Sequence, residues 1–242
     1  MKTTTRAAIV LILALAFAAS PLVVDGFAGY DTTAFPVPLV DPPMQPAGWA
    51  FAIWGPIYAW LVAMAAFGLF ARRTDPGWDA TRVPLAISFA IGTVWLAVAQ
   101  RSPILATGLI LLMLATAVQA LLRSPRRDRL VMRAPLGLYA GWLTAASAVS
   151  VGLVAAGHGV GGVPPDGWAF VTLSLTLLTA TPVILARPSV TYVGAIVWAL
   201  AGIAATFPPV LILGYAGLGA LALVALLGSQ AKRILAPNPP RA

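Results

Sequence analysis

The chain is a series of apolar runs divided by short gaps, and nearly every charge sits in a gap. The runs are read at about 7–25, 47–71, 83–100, 103–122, 131–156, 167–186, 190–207 and 209–228, the seventh being the shortest. A hydrocarbon core about 30 Å thick takes roughly 20 helical residues to cross. No water is available there, so a crossing backbone must satisfy its own N–H and C=O groups, which a helix does. Charged residues make up 9% of the chain and hydrophobic ones 60%, against roughly a quarter charged in a soluble domain. The pattern predicts an all-α integral membrane protein, a bundle of about eight transmembrane helices.

Charge placement supplies the orientation. Lys2 and Arg6 precede run one; Arg72, Arg73 and Arg82 follow run two; Arg123, Arg126, Arg127, Arg129 and Arg133 follow run four. Arg187 follows run six, and Lys232, Arg233 and Arg241 follow run eight. With eight spans all of these share one side, leaving Arg101 opposite with Asp25, Asp31, Asp41 and Asp166. Basic gaps face the cytoplasm, so both termini are expected there, in a multi-pass protein of a bacterial inner (cytoplasmic) membrane. The net charge of +8 is thereby read as topology, with no nucleic-acid partner. Lys2, Arg6 and the stretch from Ala7 to Ser20 also fit a cleaved signal peptide. The apolar run continues through Val24, which favours a retained helix; removal would leave the remaining orientation unchanged.

What the interior lacks narrows the chemistry. There is no cysteine, which excludes disulfides and thiolate sites. No Asp, Glu, Lys, Arg or His falls near the middle of a run. Intramembrane ionisable groups carry proton relays and ion coupling, so a proton pump or carboxylate antiporter is disfavoured, and no lysine can form a Schiff base. His158 is the single histidine and reads as a solvated loop residue. No nucleophile–base pair, metal cluster or paired carboxylates stand within the membrane, so the expectation is not an enzyme.

Aromatic residues are the distinctive content. The stretch Pro46–Trp60 holds three tryptophans and a tyrosine, with Trp54 and Tyr58 four apart on one helical face. Such a set is either an interfacial belt or one wall of a site for a flat, greasy ligand. Trp95 lies in run three, and Tyr139, Trp142, Ala146 and Ser150 fall on one stripe of run five. Apolar planar walls with few hydrogen bonds suit a sterol-like or tetrapyrrole-like molecule better than a sugar or an ion. The gap at 26–46, with five prolines and no basic residue, reads as a lid. Thr172, Thr176 and Thr179 form a hydroxyl stripe in run six, and Gly137 and Gly141 a GxxxG in run five. The loop Arg123–Arg129 either sets topology or binds anionic headgroups.

On these residues the chain resembles the TspO/MBR family, the tryptophan-rich sensory proteins that include the translocator protein. The family's P-P-G-W-x-F approach to helix two followed by W-x-x-x-Y appears as Pro46-Ala47-Gly48-Trp49-Ala50-Phe51 and Trp54-Gly55-Pro56-Ile57-Tyr58. Its P-Y-L-x-W appears as Leu138-Tyr139-Ala140-Gly141-Trp142. The spacing from Trp49 to Trp54 is one residue shorter, the polar third-helix positions become Ser88 and Gly92, and the fifth-helix Asn becomes Ser150. The resemblance covers 1–156; 157–228 supplies three additional helices, and 229–242 a short basic tail. It implies a cavity between helices, capped by the first outer loop, with Trp54, Tyr58, Trp95, Tyr139, Trp142 and Ser150 as ligand-binding residues. It also implies binding of a porphyrin, haem or sterol-like lipid in a sensory role, with no certain cofactor. The alternative is a transporter of a neutral or lipidic small molecule. Partners are the lipid bilayer and the hydrophobic ligand, and a homodimer stays open.

Overall fold

A computed structural model of the protein describes residues 2–24, 27–31, 33 and 35–232. Asp25, Arg233 and Arg241 of the charge pattern lie outside the described residues. Among the described residues eight α-helices follow one another: α1 (Thr3–Ala19), α2 (Trp54–Phe70), α3 (Pro76–Ala99), α4 (Pro103–Arg123), α5 (Ala134–Gly157), α6 (Pro165–Ala186), α7 (Val190–Ala204) and α8 (Val210–Ser229). A 3-10 turn, Gly48–Ile53, leads into α2, and a π-helical turn, Arg129–Arg133, leads into α5. Seven of these described helices are long and apolar enough to cross a membrane. The eighth, α7, has 15 residues, about 22 Å of helix, too short to span the core alone.

Helix starts follow local chemistry. The Asp75 carboxylate accepts from the Gly77 and Trp78 amides at 2.8 and 3.3 Å, with Pro76 at the first helical position. Ser102 caps α4 and Ser189 caps α7 in the same way. The Asp75 cap moves the start of α3 to Pro76, seven residues before the apolar run at 83–100. Asp79 and Arg82 are therefore helical, and Arg82 is buried. It is accommodated because its guanidinium donates to the Asp79 carboxylate (3.0 Å) and to the carbonyls of Thr3, Arg73 and Arg72 (3.0, 2.8 and 2.9 Å). Run one is shifted likewise: α1 begins at Thr3 and ends at Ala19, where a 3-10 turn containing Pro21 follows.

The basic gaps meet at one end of the bundle. Arg6 also pairs with Asp79, and Arg127 pairs with Asp75. Arg72 grips Asp128 through two nitrogens at 2.9 and 3.1 Å, and the Trp78 indole donates to the same carboxylate at 3.0 Å. The Arg72 guanidinium holds Asp128 below its ordinary value. Burial pushes the Asp75 carboxyl up, but Arg127 and the capping amides outweigh it.

Helix α5 is the centre. Its span is 78% buried, against 22–50% for the other long spans, and it packs against α4, α6 and α7. Gly137 and Gly141 face α7: a methyl group at Gly141 would overlap the Tyr192 carbonyl, and one at Gly137 the Ser189 and Thr191 hydroxyls. The Tyr192 hydroxyl then bonds to Thr144 at 2.8 Å. The GxxxG thus joins α5 to a helix of the C-terminal segment, and α7 runs from the basic end toward Pro46 and Ala50, which Gly202 touches.

Gly141→Ala should destabilise the detergent-solubilised protein by about 1–3 kcal/mol in thermal unfolding, whereas Gly194→Ala, with open space around its Cβ, should cause no loss; equal effects would remove the α5–α7 contact from this role. For Asp128, a depressed folded pKa means stability present above the unfolded value of about 3.9 and lost as pH falls through the folded value. Asp128→Asn should lower the thermal midpoint at pH 7 and converge with the wild type once the pH falls below the depressed folded value.

Candidate ligand-binding site

At the end of the bundle opposite the arginines, the loop from Phe27 to Pro46 folds down over α2, α3, α4 and α5. Its Tyr30, Phe35, Leu39 and Met44 side chains are buried in the core. Among the described residues, three polar contacts fasten the loop and the residue that follows it. The Val37 amide donates to the Gly157 carbonyl at 2.9 Å, and the Ala47 amide to the Gly202 carbonyl at 3.0 Å. The Tyr30 hydroxyl bonds to Ser150 at 2.8 Å, and Ser150 bonds to Thr107 at 2.7 Å, which donates to the Pro103 carbonyl at 2.8 Å. Loop, α5 and α4 are thereby joined through one chain of hydroxyls. Burial raises the Tyr30 phenol above its ordinary value, so it is a neutral hydroxyl at physiological pH.

Beneath the loop lies a narrow cavity of about 40 Å³, nearly closed by the rings around it. Trp54, Trp95, Trp142 and Ser150 line it with Phe27, Tyr30, Gln45, Phe51, Ala146 and Ala199. A second and roomier space, about 390 Å³, opens between α1, α2 and α3 and is lined by Phe17, Ser20, Tyr58 and Gly92. Phe27, Phe51, Trp54 and Trp95 line both, forming the wall between them.

Four of the six sequence-predicted residues therefore meet in one cavity, and Tyr58 lies on the other side of the shared wall, stacked on Trp54 at 5.2 Å. Tyr139 lines neither space. It is fully buried behind Trp54, with its hydroxyl 2.8 Å from Ser88, which donates in turn to the Met113 carbonyl. Its role here is to back the wall. The stripe on α5 splits accordingly, with Trp142, Ala146 and Ser150 facing the cavity and Tyr139 turned toward α3 and α4.

The rings already touch one another. Trp54 and Phe51 meet Trp142 edge to face at 6.3 and 5.6 Å, and Phe27 meets Trp95 at 5.2 Å. Such pairs contribute about 0.5–1.5 kcal/mol each beyond their buried area. A flat guest between them must part edge-to-face rings and replace those contacts with stacking on its own faces. The Trp142 indole N–H is buried without a hydrogen-bond partner, while the Trp95 indole N–H is satisfied by the Ala106 carbonyl at 2.9 Å. Trp168 has a second unpartnered indole N–H, but it lies outside the cavity lining.

Sequence reasoning missed the part played by α7. The Trp198 indole donates to the Ala50 carbonyl at 2.8 Å and its ring meets Trp49 at 5.0 Å, while Ala199 reaches the cavity. Together with the Gly202–Ala47 bond, this holds the 3-10 turn Gly48–Ile53 that aims Trp54 inward. No periodicity in run seven signals it, because both of its hydrogen bonds to this turn involve backbone groups. The Tyr30–Ser150 bond was equally hidden across 120 residues.

Removing the hydroxyl link should loosen the loop without unfolding the bundle. Tyr30→Phe is expected to cost about 1 kcal/mol and to speed amide exchange in 27–40, and the Tyr30→Phe/Ser150→Ala double variant should be less than additive. Full additivity would show that the two hydroxyls do not act together.

A family model described as TSPO-like protein matches residues 3–228. No curated protein and no solved structure gives a match. The match runs from α1 through α8, across the aromatic wall, its overlying loop and the α7 buttress alike, and the chain belongs to the TSPO-like protein family.

Proposed function

We propose that the protein is a membrane-embedded binding or sensory protein for a hydrophobic planar ligand of the porphyrin, haem or sterol-like class. The ligand sits between Trp54, Trp95 and Trp142 beneath the loop. The observation that carries this reading is the unpartnered Trp142 N–H in the wall of an aromatic cavity. A buried donor left unpaired costs about 1–3 kcal/mol, a penalty that an acceptor on the guest would remove. Family membership supports the binding and sensory class. A carboxylate- or carbonyl-bearing macrocycle has both the flat apolar faces and the acceptor.

Transport of a neutral or lipidic solute is the second reading, favoured by the two spaces that share one aromatic wall. The hydroxyl stripe of α6 does not add to it. Thr172 packs against Gly152, with its hydroxyl 3.4 Å from the Ala148 carbonyl, and Thr176 donates back to Thr172 at 2.9 Å. These hydroxyls are spent in helix packing.

Protoporphyrin IX and haem titrations followed by tryptophan quenching test the binding reading. Trp54→Phe/Trp142→Phe should weaken apparent affinity about tenfold or more. Trp142→Phe alone should cost a planar acceptor-bearing ligand about fivefold, one hydrogen bond's worth, and leave a planar hydrocarbon such as perylene unaffected. Unchanged porphyrin affinity in the double variant would place the ligand elsewhere.

A further inference from the structure

The arginine-rich end of the bundle divides into two halves of different character. Among the described residues three carboxylates stand there, and each is taken: Asp75 by Arg127, Asp79 by Arg6 and Arg82, Asp128 by Arg72. A second group gathers where the end of α4, the π-helical turn and the α6–α7 turn meet. Arg133 feels the charges of Arg126, Arg129 and Arg187 around it. Arg187 donates to the Leu122 carbonyl at 2.8 Å, Arg129 to Arg126 at 3.3 Å and Arg133 to Pro125 at 3.3 Å, so the guanidiniums are fixed by backbone carbonyls. Neither Arg126 nor Arg133 has a carboxylate partner among the described residues.

Arg133 is the telling member. It is 8% exposed, and its Nε has no hydrogen-bond partner. Burying a guanidinium among like charges is unfavourable unless an anion shares the site. Guanidinium groups match phosphate oxygens in geometry as well as charge, because their N–H groups form a planar fork. The cluster also stands at the end of the α5 span, and basic residues at the end of a membrane span are drawn to an anionic lipid surface.

We propose that Arg126, Arg129, Arg133 and Arg187 form a binding site for a phosphate-bearing anion, separate from the aromatic cavity. Its chemistry is that of a phosphate mono- or diester oxygen pair, offered by an anionic lipid headgroup or by free phosphate.

Native mass spectrometry of the delipidated protein, titrated with phosphatidylglycerol or phosphatidylcholine, tests the site alongside calorimetric titration with inorganic phosphate. The rim variant Arg126→Gln/Arg187→Gln leaves buried Arg133 in place. A second variant, Lys2→Gln/Arg73→Gln, removes the same charge from exposed positions at the same end. The expected result is phosphatidylglycerol binding about tenfold weaker in the rim variant and changed less than about twofold in the matched variant, with phosphatidylcholine unaffected. Phosphate binding with the same dependence would identify the free anion as a ligand; dependence seen only with the lipid would identify the headgroup. Equal losses in both variants, or none in either for lipid and phosphate alike, would overturn the site.

Discussion

The backbone approach of α5 and α7 at Gly141 is the contact on which the rest of the outer half depends. Without a Cβ at Gly137 and Gly141, α7 comes close enough for the Tyr192 carbonyl to lie where a side chain would otherwise be. In lipid such proximity has to supply association through packing and hydrogen bonds, since burial from lipid brings little hydrophobic gain. Once α7 is seated, its far end presents Trp198, Ala199 and Gly202 to the 3-10 turn before α2. That turn sets the rotation of α2 and therefore the direction of Trp54. A helix too short to span the membrane alone thus acts as the internal strut of the aromatic wall.

The loop closes the other side of the same chamber. It covers the helix ends with buried apolar side chains, yet discrete hydrogen bonds fasten it. Such fastening is local and reversible, each bond contributing about 1 kcal/mol. The cavity beneath is lined by rings in contact, so guest binding and loop movement are coupled: parting Trp54, Phe51 and Trp142 displaces residues that also touch Phe27 of the loop. Function then requires a loop that is stable when empty and displaceable when a flat molecule offers better stacking.

Much of this was legible in the residues. The gaps and their charges gave the helix number and the arginine-rich end, because a membrane permits few alternatives to helices of fixed length. The spacing of Trp54, and of Trp142, Ala146 and Ser150, placed them on faces that do meet. The polar contacts across the bundle were not legible. Arg82 looked like a gap residue because nothing local reveals that Asp79 and three carbonyls wait for it. Tyr139 shared a stripe with Trp142, but its hydroxyl found Ser88, and a helical wheel cannot rank two neighbours of similar size. Gly141 was one small residue among many, and only the position of α7 shows which glycine matters.

The central claim is that Trp54, Trp95 and Trp142 embrace a planar guest. Structure determination of the protein with protoporphyrin IX bound tests it most directly. The account predicts planar density between these three indoles, with the edge-to-face contacts of Trp142 opened and an acceptor of the ligand within about 3 Å of the Trp142 indole nitrogen. Ligand density at the lipid-facing surface, with the three indoles in their unliganded contacts, would contradict it.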